Sequence, residues 1–576
     1  MSGSRARWLI PDFPNEEIAA LSRSTGIAMP AAKVLWKRGV CTPQAVTRFL
    51  HPNIDDCHDP FLLADMAKAA QRVRDAITRR DKILLYGDYD VDGTSSIVIL
   101  HTVLKLAGAD VGYHVPHRIL EGYGMRGEVV DQARTDNVNL IISVDTGIRA
   151  SAVVERANAH GIDVIVTDHH LPEAELPPAL AVINPNRPDC NYPEKNLCGA
   201  AVAWKLAHAI MKQLDWPDAR RKTMLSSLLK LVAIATVADV VPLTGENRII
   251  VKHGLEGLKD PRNLGLKALF EVASIRIGIA PSARQIGFQI APRLNAAGRM
   301  DHASNVIELF LSNDESKVQS IARKLDELNK ERQQTEAEIR DKILAACEEV
   351  PVTDEQAGLV FSGAGWHQGV IGIVAGRLAE RYSRPVFVLS EDPETGEAHG
   401  SGRGPAIFHL LDAMESMSGV FTRFGGHRQA AGCKLKIENI AEFRARFQSY
   451  AGSKLTPEDL VPIIDCDAVV TLDELTDESA AEVLSLAPFG NSNPVPIFAI
   501  QKAKVARPPQ VKNEKHLFMH IAQNGVAKMV KGWSMADRLD DAPPGGTIDV
   551  AAQLEEDLWS KDRGGAAWGR VLKDLR

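Results

Sequence analysis

The stretch Lys82-Ile83-Leu84-Leu85-Tyr86-Gly87-Asp88-Tyr89-Asp90-Val91-Asp92-Gly93 sets an apolar run of strand length directly before three aspartates within five residues. Carboxylates this close repel by about 1 kcal/mol per pair in water and about 4 kcal/mol near a protein surface, so a folded chain keeps them ionised together only with cations between them. The pattern continues downstream. Strand-length runs alternate with helical stretches: Lys82–Tyr86 then Thr94–Leu106, Asn139–Val144 then Ala150–His160, Asp163–Thr167 then Ala181–Ile183. This alternation predicts an α/β fold with a doubly wound parallel sheet. Ligands gather at the carboxyl ends of the strands in such sheets. Asp88, Asp90 and Asp92 stand at the first such end, Asp145 at the second, and Asp168 with His169 and His170 at the third; a later apolar helix or strand, Leu228–Ala238, ends in Asp239. Four segments deliver ligand-type residues to one edge, and a divalent-metal site is the expectation.

The surrounding chain is modular. Its 576 residues exceed one core, and about 100–200 residues per domain gives three or four. Composition is globular, with 45% hydrophobic and 24% charged residues. No apolar stretch nears the ~20 residues that cross a bilayer, so no membrane is expected. The N-terminus lacks a secretory h-region, and seven scattered cysteines without a C-x-x-C pair support neither a disulfide framework nor a zinc knuckle, which predicts a reducing cytoplasm. The net charge of −7 does not itself suggest a nucleic-acid binder, yet residues 501–531 hold seven Lys/Arg against the single acid Glu514, and the stretch before them is acidic.

Two motifs invite other readings and fail. Asp88 to Gly93 imitates an EF-hand loop, but the twelfth position is Ile99 rather than a bidentate Glu. Gly122-Tyr123-Gly124-Met125-Arg126-Gly127 satisfies G-x-G-x-x-G, but Pro116 to Glu121 separate it from the strand that a dinucleotide fingerprint must follow. Arg118 and Tyr123 read better as a phosphate clamp and a stacking surface. Imidazole mixed with carboxylates suits Mn²⁺, Mg²⁺ or Fe²⁺, whereas zinc would more often carry thiolates. Two ions about 3.5–4 Å apart could polarise a phosphate and lower the pKa of a water. The loops Ser401-Gly402-Arg403-Gly404 and Gly425 to Gly432, together with Pro292-Arg293-Leu294-Asn295-Ala296-Ala297-Gly298-Arg299, suggest a phosphate-lined channel.

These motifs, in this order, resemble the DHH phosphoesterase superfamily, named for the triplet present here as Asp168-His169-His170, and more narrowly the RecJ family of single-stranded-DNA-specific exonucleases. The resemblance runs from about Trp36 to the end. It implies two Mn²⁺ or Mg²⁺ ions held by Asp88, Asp90, Asp92, Asp145, His169 and Asp239, with Asp145 as the bridge and His170 nearer the scissile phosphate. It implies that His427 and Arg293 stabilise charge on the phosphate, that Arg118, Ser401 and Arg403 hold a 5′-terminal phosphate beside Asn295 and Arg299, and that Tyr123 stacks on a base. The implied activity is 5′→3′ hydrolysis of single-stranded DNA to 5′-mononucleotides in recombination and repair, by a cytoplasmic monomer working beside a helicase and single-strand-binding protein. The alternatives are a DHH phosphodiesterase acting on short oligonucleotides or cyclic dinucleotides, and a non-catalytic DNA-binding subunit. Members usually carry a second Ser after the arginine of the Ser-Gly-Arg loop, where this chain has Gly404, which puts a hydroxyl donor of the 5′-phosphate pocket in question.

The expected organisation is an N-terminal arm (1–45), a DHH catalytic domain (46–313), a connecting helix (314–350), a smaller DHH-associated α/β domain (351–455), and an acidic linker with an oligonucleotide-binding-type β-barrel (456–576).

Overall fold

Five runs rich in Val, Ile and Leu, namely Lys82–Gly87, Asp110–His114, Val138–Val144, Asp163–Thr167 and Ala181–Ile183, form one sheet in which every pairing is parallel. A parallel sheet is stable only when covered on both faces. In the computed structural model, which describes residues 6–118, 120–122, 124–353, 355–556 and 568–576, one face carries Ile83, Leu85, Leu140 and Ile142 against the helices Met66–Arg79, Val91–Leu106 and Gly199–Gln213. The opposite face carries Ile141, Val164 and Val166 against Gly127–Thr135 and Ser151–Ala159. The fold is doubly wound, as the alternation of runs predicts.

The first strand of this sheet, Lys82–Gly87, lies in space between its second and third, Asp110–His114 and Val138–Val144. Winding therefore reverses at its carboxyl end, the place where such sheets bind ligands. Register makes the edge a row: Gly87 pairs with Val144, Val144 with Thr167, and Thr167 with Ile183. The next residues along are Asp88, Asp145, Asp168 and Asn184. The ambiguous run Leu228–Ala238 is the end of a helix, Asp218–Ala238, with Asp239 as its C-cap.

The helix Glu315–Glu349 has 35 residues and spans about 50 Å. Val318, Ile321 and Leu325 near its start pack in the core of the first sheet, and Ile339, Ile343 and Cys347 near its end pack on a second, five-stranded sheet. That sheet runs, in spatial order, Arg423–Gly426, Ala430–Lys436, Glu397–Arg403, Val386–Asp392 and Leu359–Ala364, with a single parallel pair. All of this lies in one unit, Ile54–Leu460.

The second unit joins Met1–Asn53 to Val461–Arg576. Its centre is a barrel. The long strand Ile497–Lys512 pairs on one side with His516–Gln523 and on the other with Thr547–Glu556, and a parallel contact between Lys531 and Val571 links Val526–Gly532 to Trp568–Leu575. Five strands closed in this way make the oligonucleotide-binding architecture.

The sequence-based boundaries differ from the structure at both ends of this unit. The N-terminal segment is not a separate arm. Arg7–Leu9 pairs in parallel with Ile463–Asp465, and Leu21, Val34, Leu35 and Val46 share a core with Phe498, Ile521 and Leu572 of the barrel. The acidic stretch is not a linker. Ala468 and Val469 pair with the first barrel strand, and Asp477–Ser485 is a helix whose Val483 lies in the same core. Local periodicity carries no record of pairings between residues more than 400 positions apart.

Candidate metal centre and phosphate pocket

Asp90 N-caps the helix Val91–Leu106, its Oδ1 accepting from Asp92 N at 2.9 Å and Gly93 N at 3.0 Å. Only glycine fits at 93, because a Cβ there would come within 2.5 Å of the Asp88 carbonyl oxygen. This tight turn brings Asp88, Asp90 and Asp92 to one edge. Asp92 in turn accepts from Gly199 N at 2.6 Å and Ala200 N at 2.7 Å, at the start of another helix. Asp145 adopts a left-handed backbone with φ of 58°, uncommon for a residue other than glycine and a form of strain that clusters at functional sites.

The ligating atoms converge. Three sets, Asp88 with Asp90 and Asp145, Asp145 with His169 and His170, and Asp92 with His169 and Asp239, each have their atoms within 4.8 Å of one another. Asp145 and His169 each belong to two sets. Their chemistry fits divalent ions. Asp88 Oδ1 and Asp145 Oδ1 are buried without a directed hydrogen bond, although His169 Nε2 lies 3.1 Å from the latter. Burial, then the charge of Asp90, raises the pKa of Asp88 well above the carboxylate range; burial and then Asp92, Asp90, Asp88 and Asp239 do the same to Asp145. Asp239 is pushed up to about 9 by burial and by Asp92 and Asp90. Burial lowers His169, which keeps its ring a neutral ligand. The nearby Cys198 is held as a thiol by burial and by Asp92 and Asp239, so no thiolate enters the donor set, and nitrogen with oxygen suits Mn²⁺ or Mg²⁺.

Asp168 is otherwise employed. Its carboxylate accepts from Ile148 N at 3.0 Å, His169 N at 2.7 Å and His170 N at 3.0 Å, and its Oδ1 lies 2.7 Å from His170 Nδ1. It orients the two histidines. Burial alone would lower His170, but the bond to Asp168 and the charges of Asp168, Asp92 and Asp90 carry its pKa upward. His427 lies in the hairpin between Arg423–Gly426 and Ala430–Lys436; burial and then the charges of Arg149 and His170 lower its pKa.

A second cluster has the opposite sign. Arg403 donates to Ser401 Oγ at 3.2 Å and to the Gly402 carbonyl at 2.7 Å, Arg299 donates to the Gly369 carbonyl at 2.9 Å, and the Arg118 guanidinium lies over the Tyr89 ring. None of the three forms an ion pair with a carboxylate among the described residues. Burial, then Arg118, Arg332 and Arg403, pushes Arg299 down to about 9, and burial and then Arg118 lower Arg403. Cations buried together without a partner are costly and mark a place for an anion. Room is left by Gly372, where a Cβ would come within 2.9 Å of Ser401 Oγ and 3.3 Å of Arg403 Nη2.

Two expected phosphate ligands are engaged elsewhere. Arg293 is tied to Asp326 of the long helix, with Nε and Nη2 both 2.9 Å from Oδ1, and to the Gln289 carbonyl at 2.6 Å. Asn295 Oδ1 accepts from Val91 N at 3.2 Å and so braces the aspartate turn. Helical spacing shows that such residues share a segment with Arg299 but not where each one points. Tyr123 lies outside the described residues. Arg332 was missed by sequence reading; buried beside Glu336 (2.5 Å) and Asn329 (2.7 Å), it adds its field to Arg299. Its only signal was three polar residues on a helix face that is otherwise apolar. Ser401 and Arg403 alternate with Gly402 and Gly404 along the chain, and a Cβ at 404 would meet Pro385 and Leu410 rather than the arginine cluster.

Comparisons with known proteins agree with this assembly. Residues 82–236 match the DHH family N-terminal domain, 355–453 the DHHA1 domain, and 466–564 the RecJ OB domain. The single-stranded-DNA-specific exonuclease RecJ of Bacillus subtilis is 38% identical over 97% of this chain and 70% of its own length, and that of Escherichia coli is 35% identical over 86% and 88%. The crystal structure of RecJ from Thermus thermophilus in complex with Mn²⁺ superposes with a TM-score of 0.82 at 30% identity, over 99% of this chain and 79% of that one. An acid row at the reversal of a parallel sheet, an arginine cluster in the same unit and a barrel in the second unit, with that domain order and at that identity, make this chain a member of the RecJ family.

Proposed function

We propose that this chain is a metal-dependent exonuclease that takes single-stranded DNA by its 5′ end and releases 5′-mononucleotides. The observation that carries the reading is the trio of overlapping ligand sets sharing Asp145 and His169. In this reading Asp88, Asp90, Asp92, Asp145, His169 and Asp239 would hold two Mn²⁺ or Mg²⁺ ions, with Asp145 common to two of the ligand sets. Bound ions would neutralise charge on the scissile phosphate and lower the pKa of an attacking water.

The remaining steps belong to side chains. Asp168 fixes the proton of His170 on Nδ1, and the raised pKa of that ring favours the imidazolium, which offsets charge on the phosphate. His427, with its lowered pKa, is a neutral donor or acceptor on the far wall. Arg118, Arg299, Ser401 and Arg403 receive the terminal phosphate, and Tyr123 stacks on a base. Arg293 and Asn295 act as struts rather than as ligands.

The barrel offers a surface suited to a strand. Phe518 sits between Gln510 and Lys531, and His520 between Arg507 and Met529, on the face opposite the buried Leu517, Met519 and Ile521. Trp533 lies edge-on to Phe518, and Lys512 lies over the Phe518 ring. Aromatic faces among cations are how sequence-tolerant single-strand binding is built, and affinity should fall steeply with salt. Family membership further supports a cytoplasmic monomer acting beside a helicase and single-strand-binding protein in recombination and repair; light scattering tests the monomer. The test of the activity is digestion of end-labelled single strands with Mn²⁺. Mononucleotides released from the 5′ end are expected, and trimming from the 3′ end alone would overturn the polarity.

A further inference from the structure

Tyr89 stands between two ligating aspartates and has no part in the roles above. Its ring is the face over which the Arg118 guanidinium lies, 4.7 Å from the centroid. Its backbone is gripped from the other side: a Cβ on Gly298 would come within 2.5 Å of the Tyr89 carbonyl oxygen, so the helix Ala291–Met300, which carries Arg299, rests directly on it. One residue thus touches two of the segments that bear the arginine cluster. The phenol ring presents its π face to the cation.

The segment carrying Arg118 is also held by bonds within itself and to the strand Lys82–Gly87, and the His117 ring lies edge-on to His302 with 4.8 Å between centroids. Glu121 Oε1 accepts from His117 N at 2.7 Å, and Tyr86 OH donates to the Gly124 carbonyl at 3.1 Å. These bonds shape the turn, and the Tyr89 contact ties it to the residue between two of the aspartates.

We propose that Tyr89 is a positioning residue whose ring seats the Arg118 guanidinium, so that the aspartate turn and the clamp for a 5′-terminal phosphate form one rigid piece and fix how many nucleotides separate the held end from the bond that is cut. The inference rests on reading Arg118 as part of that clamp. The preference for a terminal phosphate is then set partly by a residue that touches neither the phosphate nor the reacting bond.

The experiment measures equilibrium binding of oligothymidylates bearing a 5′-phosphate or a 5′-hydroxyl to the full chain in EDTA, where no cleavage competes. Tyr89→Leu is expected to lose about five- to tenfold of the preference for the phosphate, the scale of one partly desolvated cation–π contact, with affinity for the 5′-hydroxyl strand unchanged. Tyr89→Phe keeps the ring and should keep the preference. With Mn²⁺ added, Tyr89→Leu should release dinucleotides beside mononucleotides, and Tyr89→Phe mononucleotides alone. Full preference in Tyr89→Leu with loss in Arg118→Ala overturns the seat and spares the clamp. Full preference in both overturns the clamp itself. Equal loss in Tyr89→Phe and Tyr89→Leu also overturns the seat, since the ring face would not be the cause.

Discussion

The acid row and the arginine cluster lie in the same unit and are both buried and unbalanced, yet they relieve that imbalance differently. Asp88, Asp145 and Asp239 have raised pKa values, so in the absence of cations they can hold protons instead. Arginine sheds its proton only with great reluctance. The guanidinium side therefore stays cationic at neutral pH and waits for an anion. One side of the cleft adapts to pH and to metal supply. The other is a fixed demand for phosphate.

The sharpest way to break this contrast is to weaken one side at a time. Asp145→Asn removes the carboxylate shared by two ligand sets, and turnover is expected to drop on the order of a thousandfold. Binding of a 5′-phosphorylated strand in EDTA should persist, as gel-shift titration would reveal; joint loss would mean that the two clusters are not separable. Arg403→Ala should do the reverse. Affinity for the 5′-phosphorylated end should weaken about ten- to a hundredfold, the scale of one or two charge-assisted hydrogen bonds, while metal binding by calorimetry stays unchanged. Asp168→Asn probes the support of the acid side: kcat is expected to fall about tenfold or more, with metal still bound, because His170 loses the carboxylate charge beside Nδ1.

A pH series addresses the adaptable side directly. Raised carboxyl pKa values in the fold, set against ordinary values near 4 in the unfolded chain, stabilise the protein at low pH, and that stability is lost as pH rises toward the value of about 9 at Asp239. The metal-free melting temperature should therefore fall by several degrees between pH 5 and 9, and excess Mn²⁺ should reverse the trend. A flat profile in EDTA would remove the distinction drawn above. The smallest effect is expected at Gly404→Ser, whose side chain would face Pro385 and Leu410; the ratio of affinities for 5′-phosphate and 5′-hydroxyl ends should not change.

The acid row was legible because strand ends announce themselves: an apolar run stops and an aspartate follows, and the parallel register places Asp88, Asp145 and Asp168 side by side. What an individual oxygen does was not. Asp168 looks like a ligand in sequence and proves to be the orienter of two histidines, because hydrogen bonds to backbone N–H groups leave no trace in residue type. Arg293 and Arg299 sit six positions apart on one motif, yet Asp326 claims the first and not the second. The partner lies on the long helix, 33 residues downstream, and spacing within the motif carries no information about it. The extent of the N-terminal segment escaped for the same reason at longer range, since Trp8 donates to Asp574 across 566 positions.

That last bond has a bearing on synthesis. Leu21, Val34 and Leu35 precede Ile54–Leu460 in the chain, but the barrel core that covers them is completed only by Trp568–Leu575, which follows it. During translation of the 407 residues from Ile54 to Leu460, which can collapse around their own sheets, the leading helices carry a greasy face with nothing to rest on. A chain cut before Trp568 would thus leave the leading helices without the strand that completes their shelter, the kind of exposed apolar face that chaperones and proteases intercept.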